Sequence, residues 1–217
     1  MQERIQYTLH QAGENSSELK KVLDHYQNQP EKLKAARFLI ANIPAHRTYV
    51  GKEIDSLKQM KKESIQQGRI SDEIVTHWKS FDYSSSQVVK DIDVIKADIL
   101  IENIDLAFEA WEKRSWSKQY SFEDFCEYVL PYRIGDEPLE KWRRIYYERY
   151  SPVLDSLYQG NDVVEAARVM ANYLKEEGFT NHTDFNLPHL GALFLLENRV
   201  GYCRDNCDIA TYVMRSL

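Results

Sequence analysis

A cysteine near the end of the chain stands where a reactive thiol could be held. Gly201 lies two residues before Cys203, and Ile209, Tyr212 and Val213 follow at helical spacing, which predicts a helix beginning near the cysteine. Unpaired amides and the positive dipole end at a helix N-terminus stabilise a thiolate, the nucleophilic form of cysteine. Gly201 can adopt backbone angles closed to other residues and let a substrate approach. Cys203 is therefore a candidate nucleophile, although a cysteine that is only buried or capping gives the same pattern.

The other cysteines point to no metal site. Cys207 follows Cys203 by four residues and should share its helix face, but no second Cys or His pair at ligand spacing accompanies the two thiols. Cys126 lies among apolar residues and is interpreted as a small buried hydrophobe. We therefore expect neither a metal nor another cofactor.

The residues around Cys203 resemble the nucleophile motif of transglutaminase-like proteins. That family shows a glycine two residues before the cysteine, as at Gly201, and an arginine late in the following helix, as in the segment 212–217. Residues 188–197 look like the helix that the family places before its cysteine. The resemblance extends to large bacterial cell-envelope proteins of this family, through four further segments: 19–26, 35–40, 125–133 and 137–143.

This resemblance implies a mechanism and a substrate class. The family's cysteine attacks an amide or peptide carbonyl, a histidine acts as base, an aspartate orients the histidine, and the acyl group passes to water or an amine. The implied substrate is a peptide, protein or cell-wall amide. The implied location is the periplasm or cell envelope, with the leader absent from this chain.

The end of the chain departs from the family pattern. The family's histidine and aspartate follow the cysteine helix on strands, whereas this chain stops at Leu217 with an apolar helical pattern still running. We therefore expect a truncated, inactive piece. Ile209, Tyr212 and Val213 should lose part of their packing, and the truncated edge should self-associate or become disordered.

The histidines upstream of Cys203 do not supply an obvious base. The chain contains 6, of which only His182 and His189 lie near the cysteine in sequence. Each is interpreted as a surface or capping residue, because proximity in sequence guarantees no hydrogen-bond geometry. Neither is assigned a catalytic role.

The elements that would position Cys203 are predicted to be helices. Hydrophobic residues make up 43% of the chain, charged residues 29%, and apolar spacing of three and four residues recurs while strand alternation is missing. Asn15 and Glu18 suggest a capping box before one helix. The net charge of −6, without a basic stripe, excludes a typical nucleic-acid binder, and no apolar stretch could span a membrane.

The predicted fold class is therefore predominantly α-helical. We expect a helical N-terminal region over residues 1–117, and over 118–217 the helical half of a transglutaminase-like (papain-like α+β) core whose β half is missing. The alternative function is a non-catalytic helical binding or scaffolding module with a degenerate core of the same type.

Overall fold

The structure is a computed structural model that describes residues 1–66, 71–181 and 188–217. In these ranges it is predominantly helical, which confirms the predicted fold class, and its short strands form only two two-stranded pairs. The α-helices are α1 (Gln2–Gln11), α2 (Ser16–His25), α3 (Pro30–Asn42), α4 (Lys52–Gln66), α5 (Asp72–Ser80), α6 (Asp91–Val94), α7 (Ala97–Lys113), α8 (Phe122–Asp124), α9 (Arg143–Leu157), α10 (Val163–Glu176), α11 (Ala192–Asn198) and α12 (Cys203–Ser216). The strands are β1 (Arg47–Val50), β2 (Gln87–Lys90), β3 (Thr180–Asn181) and β4 (Val200–Gly201). β1 pairs antiparallel with β2, and β3 pairs parallel with β4.

The first apolar core is built mainly by α2, α3 and α7. Leu19 of α2, Ile40 of α3 and Leu100 of α7 are fully buried in it, because each helix turns one apolar face inward. Phe125 and Leu130 belong to the same core, although they follow the predicted boundary at 117/118. The division into two domains stays a prediction.

The second apolar core surrounds α12, which packs against α9, α10 and α11. Ile209, Tyr212 and Val213 are 2%, 1% and 0% exposed there. The expectation that these three side chains lack packing is wrong, because helices of the same chain cover the face of α12 that carries them. None of the helices in the described ranges is both long and apolar enough to cross a bilayer.

The predicted capping box at the start of α2 is also wrong. The Asn15 amide donates to the carbonyls of Ile92 and Ile95, at 3.1 and 2.9 Å, instead of capping its own helix. The Glu18 carboxylate accepts from the backbone N–H of Ala97, at 2.9 Å. Both polar side chains therefore tie α2 to the segment leading into α7, a tertiary use that the local pattern could not show.

A buried arginine holds the end of a single π-helical turn, Phe125–Val129. The guanidinium of Arg143 is buried and donates to the carbonyls of Val129 and Arg215 and to the Asn103 amide oxygen. Single π-helical turns leave carbonyl groups that need partners, and cations are favourable at a helical C-terminus. These contacts join the π-helical turn to α9 and to the end of α12.

Candidate functional site

Cys203 is the first residue of α12, as its predicted position requires, and its side chain is exposed. The preceding residue, Tyr202, has extended backbone angles, so the chain enters the helix abruptly. The Asp205 carboxylate accepts from the Tyr202 N–H at 2.8 Å, which satisfies one amide at the helix entrance. The thiol therefore stands beside the positive end of a 14-residue helix.

Gly201 is required at this entrance for a different reason from the one expected. Its φ is not in the left-handed region, so it does not use the backbone freedom of glycine. A Cβ atom at this position would instead lie 2.3 Å from the Asp205 Cβ. Only glycine at position 201 leaves room for the Asp205 side chain that caps the helix. The choice of residue at 201 therefore depends on the presence of Asp205.

Cys203 has no hydrogen-bonded base among the described residues. Its thiol shares one face of α12 with Cys207, which is also exposed, as the four-residue spacing predicts. That face lies opposite the buried side occupied by Ile209 and Tyr212. The described residues also contain no group of three or more His, Cys, Asp or Glu side chains suited to a metal ion.

A histidine–aspartate pair joins α12 to the segment before α11. The Nδ1 atom of His189 is 2.6 Å from the Oδ2 atom of Asp208, and the His189 N–H donates to the Asp136 carboxylate at 2.8 Å. The ring also lies against Gly135, where an added Cβ would be 2.5 Å from its Nε2 atom. The interpretation of His189 as a surface or capping residue is wrong: its side chain is 19% exposed and paired with a buried carboxylate. His182 lies outside the described residues.

Asp208 does not share the face of α12 that carries Cys203. The two residues are five positions apart, which corresponds to a rotation of ~140° and a rise of ~7.5 Å along an α-helix. Burial lowers the pKa of His189, but the hydrogen bond and charge of Asp208 outweigh it and leave this pKa above its ordinary value. Burial raises the pKa of Asp208, and the His189 contact opposes that rise. The contact with Asp208 therefore favours the protonated form of His189.

Lys61 is buried near the entrance of α12, so the interpretation of the short basic cluster Lys61–Lys62 as a solvated helix face is wrong for this residue. Lys61 is 1% exposed, and burial lowers its pKa to about 7, while the charge of Asp205 opposes that fall. Lys61 follows Ile54 and Leu57 at spacings of seven and four residues, so it lies on the apolar face of α4. The sequence could have indicated this burial, because Lys61 occupies a position where the helical spacing predicts an apolar residue.

An apolar cavity of about 450 Å³ opens beside α12. Ala210 and Met214 of its wall recur at three- and four-residue spacing after Cys203 and Cys207, so the thiols and the cavity share one face of the helix. The remaining lining residues are Ala110, Trp111, Trp116, Ser117, Tyr120, Asp124, Phe125, Tyr128, Val129, Val163, Thr211, Arg215 and Leu217. This cavity was not expected from the sequence, because residues from four separate segments form its wall.

No known protein family, curated protein or solved structure matches this chain. The fold and the site define a predominantly helical protein with an exposed cysteine at the start of its last helix.

Proposed function

We propose that the protein belongs to a thiol-dependent acyl-transfer system of transglutaminase-like type, in which Cys203 attacks an amide or peptide carbonyl. The observation that supports this proposal is the exposed position of Cys203 at the first turn of α12. The resemblance of residues 199–205 to the family motif supports it from the sequence. The same resemblance leads us to propose a periplasmic or cell-envelope location and a peptide, protein or cell-wall substrate.

The proposed chemistry begins with the thiolate. The Cys203 sulfur would form a bond to the acyl carbon, and collapse of the tetrahedral adduct would expel the leaving group and give a thioester. Water or an amine would then release the acyl group and restore the thiol. Backbone amides at the start of α12 are suited to stabilise the negative oxygen of the adduct.

An amine leaving group needs a proton that the described residues do not supply. No described side chain hydrogen-bonds to Cys203, and general acid–base catalysis contributes about 10²–10⁴-fold to such reactions. An activated ester differs, because p-nitrophenolate leaves without being protonated. We therefore expect this chain to be acylated once by an activated ester and to show no turnover of amides.

Acylation by p-nitrophenyl acetate, followed by intact mass spectrometry and peptide mapping, tests the proposal. The thiol proton passes to solvent, the acetyl group forms a thioester at Cys203, and p-nitrophenolate is released in equal amount. Cys203→Ala should abolish the fast phase, whereas Cys207→Ala should retain it, because Cys207 is also exposed but lies one turn further along α12. Equal acylation of the Cys203→Ala and parent proteins would refute the proposed nucleophile.

A second candidate function is a non-catalytic helical binding module. The observation that favours it is the cavity beside α12 together with the lack of a hydrogen-bonded base at Cys203 among the described residues. In that case Cys203 would react no faster than Cys207, and a bound ligand would be retained by the Cys203→Ala variant.

A further inference from the structure

The cavity beside α12 has the size and chemistry of a small-molecule site. Its volume of about 450 Å³ falls within the range of roughly 300–1,000 Å³ common for ligand pockets. Trp111 and Trp116 contribute indole rings, and the Trp111 ring stacks on Phe125 with centroids 4.5 Å apart. Stacked and buried rings form a rigid wall that needs little ordering when a ligand binds.

Hydrogen bonds hold two side chains of the cavity wall in place, those of Trp111 and Asp124. The Trp111 Nε1 atom donates to the Ser117 carbonyl at 3.2 Å, so the indole cannot rotate freely. Asp124 accepts from the Ser121 backbone N–H and hydroxyl at 3.0 and 2.8 Å. The carboxylate at the edge of the cavity is therefore already engaged within its own helix cap.

Arg215 is the one basic side chain among the described residues that line the cavity. Its Nε donates to the Tyr128 carbonyl at 2.9 Å and its Nη1 to the Arg133 carbonyl at 2.7 Å. Neutral acceptors hold the guanidinium, and no carboxylate in the described ranges lies within ion-pair distance of it. A positioned cation without a close counter-ion favours an anion at this edge.

We infer that this cavity binds a small molecule with an apolar body, a ring or a chain, and an anionic end. The apolar body would lie against Trp111 and Trp116, and the anionic end would be directed to Arg215. The inference does not depend on chemistry at Cys203. It follows from the volume of the cavity, its aromatic wall and the guanidinium of Arg215 at its edge.

Isothermal titration of the full chain with dodecanoate, at concentrations below micelle formation, tests the inference. We expect one molecule to bind per chain. Dodecyltrimethylammonium, which carries the same chain and the opposite charge, should bind at least tenfold more weakly. Ala210→Phe should weaken dodecanoate binding at least tenfold, because the ring would fill the cavity from the α12 side.

Two further variants keep this test independent of folding defects. Val163→Trp fills the cavity from α10 and should weaken binding as Ala210→Phe does. Ala171→Phe adds the same phenyl ring as Ala210→Phe, but at an exposed position of α10 outside the cavity, and should leave binding unchanged. Near-ultraviolet circular dichroism verifies that each variant keeps its aromatic packing.

Three results would overturn the inference. The first is no dodecanoate binding by the parent chain at millimolar concentration. The second is equal binding of the anionic and cationic chains, which would indicate unspecific apolar adsorption. The third is a dimer of the parent chain in sedimentation that Ala210→Phe converts to a monomer. That result would show that a second copy of the chain, not a small molecule, occupies the cavity. Cys203→Ala should bind dodecanoate normally, so failure of this inference and failure of the proposed acyl transfer give different results.

Discussion

The Nδ1 atom of His189 lies 2.6 Å from the Oδ2 atom of Asp208, and the contact joins the segment before α11 to the second turn of α12. Asp208 is 3% exposed, so the histidine partners a carboxylate that water scarcely reaches. A buried carboxylate without a partner is costly, and a charge-assisted hydrogen bond offsets that cost. The pair is therefore a structural contact whose strength depends on pH.

The stability of the fold should fall as His189 loses its proton. The folded-state pKa of His189 lies above its ordinary value because Asp208 outweighs burial, and the unfolded value is about 6.5. The contribution of the His189–Asp208 contact to the free energy of unfolding is thus fully present below about pH 6.5. It is lost as pH rises through the folded-state pKa of His189. His189→Gln should cost about 1–3 kcal/mol at pH 6 and less at pH 9. Urea unfolding across this range measures the difference.

The exposed histidine of α1 provides a matched control. His10→Gln should lower the stability at pH 6 by less than His189→Gln does, because the exposed His10 side chain has no hydrogen-bond partner among the described residues. An imidazole NMR titration should place the His189 pKa above that of a free histidine. A His189→Gln protein whose stability falls with pH as steeply as the parent protein would contradict this assignment.

Arg143 should be far more important for stability than its neighbour Arg144. Arg143 is 3% exposed and serves several carbonyls at the end of the π-helical turn, whereas the Arg144 side chain is 54% exposed. Each buried acceptor left without a donor costs about 1–3 kcal/mol. Arg143→Met should therefore lower the free energy of unfolding by at least about 2 kcal/mol, and Arg144→Met by less than about 1 kcal/mol. Equal effects in chemical denaturation would refute this role.

The sequence predicted the helical elements well because their signals are local. α3 begins at Pro30, as its fixed φ favours, and α12 begins at Cys203 where the apolar spacing starts. The β1–β2 pair was missed because Val88 and Val89 lie in a strand of only four residues, too short to show alternation. Short apolar runs do not distinguish a strand from a helix.

The site was only partly predictable, because its other residues meet through tertiary contacts. Cys203 and Gly201 were found from one continuous motif. His189 and Asp208 are 19 residues apart and carry no joint signal in the sequence. The cavity wall combines Trp111, Tyr128, Val163 and Met214, whose common location depends on how α7, α10 and α12 pack.

Gly201→Ala should destabilise the entrance to α12 through a clash with one side chain. The new Cβ would lie 2.3 Å from the Asp205 Cβ, and such overpacking costs about 1–3 kcal/mol. A second substitution tests whether the new methyl group collides with Asp205. Asp205→Gly removes the colliding atom, so adding Gly201→Ala in that background should cost at least about 1 kcal/mol less than in the parent. Strictly additive free energies of unfolding would show that the conflict lies elsewhere.

The three cysteines should react with iodoacetamide in the order Cys203, Cys207, Cys126. Cys126 is 4% exposed, and burial raises the pKa of its thiol to about 12, so it should be nearly inert at neutral pH. Cys203 and Cys207 are both exposed, which makes accessibility a poor explanation for any difference between them. They differ in their distance from the helix N-terminus, and the dipole effect falls off within the first turn.

Time-resolved alkylation at pH 7, followed by peptide mapping, measures the three rates in one sample. A rate at Cys203 several-fold above that at Cys207 is expected, and unfolding in urea should bring all three rates together, because the helix dipole and the burial of Cys126 are then both lost. Raising the salt concentration should narrow the difference between Cys203 and Cys207, since salt screens an exposed helix terminus. Equal rates at Cys203 and Cys207 in the folded protein would remove the physical support for a nucleophile at residue 203.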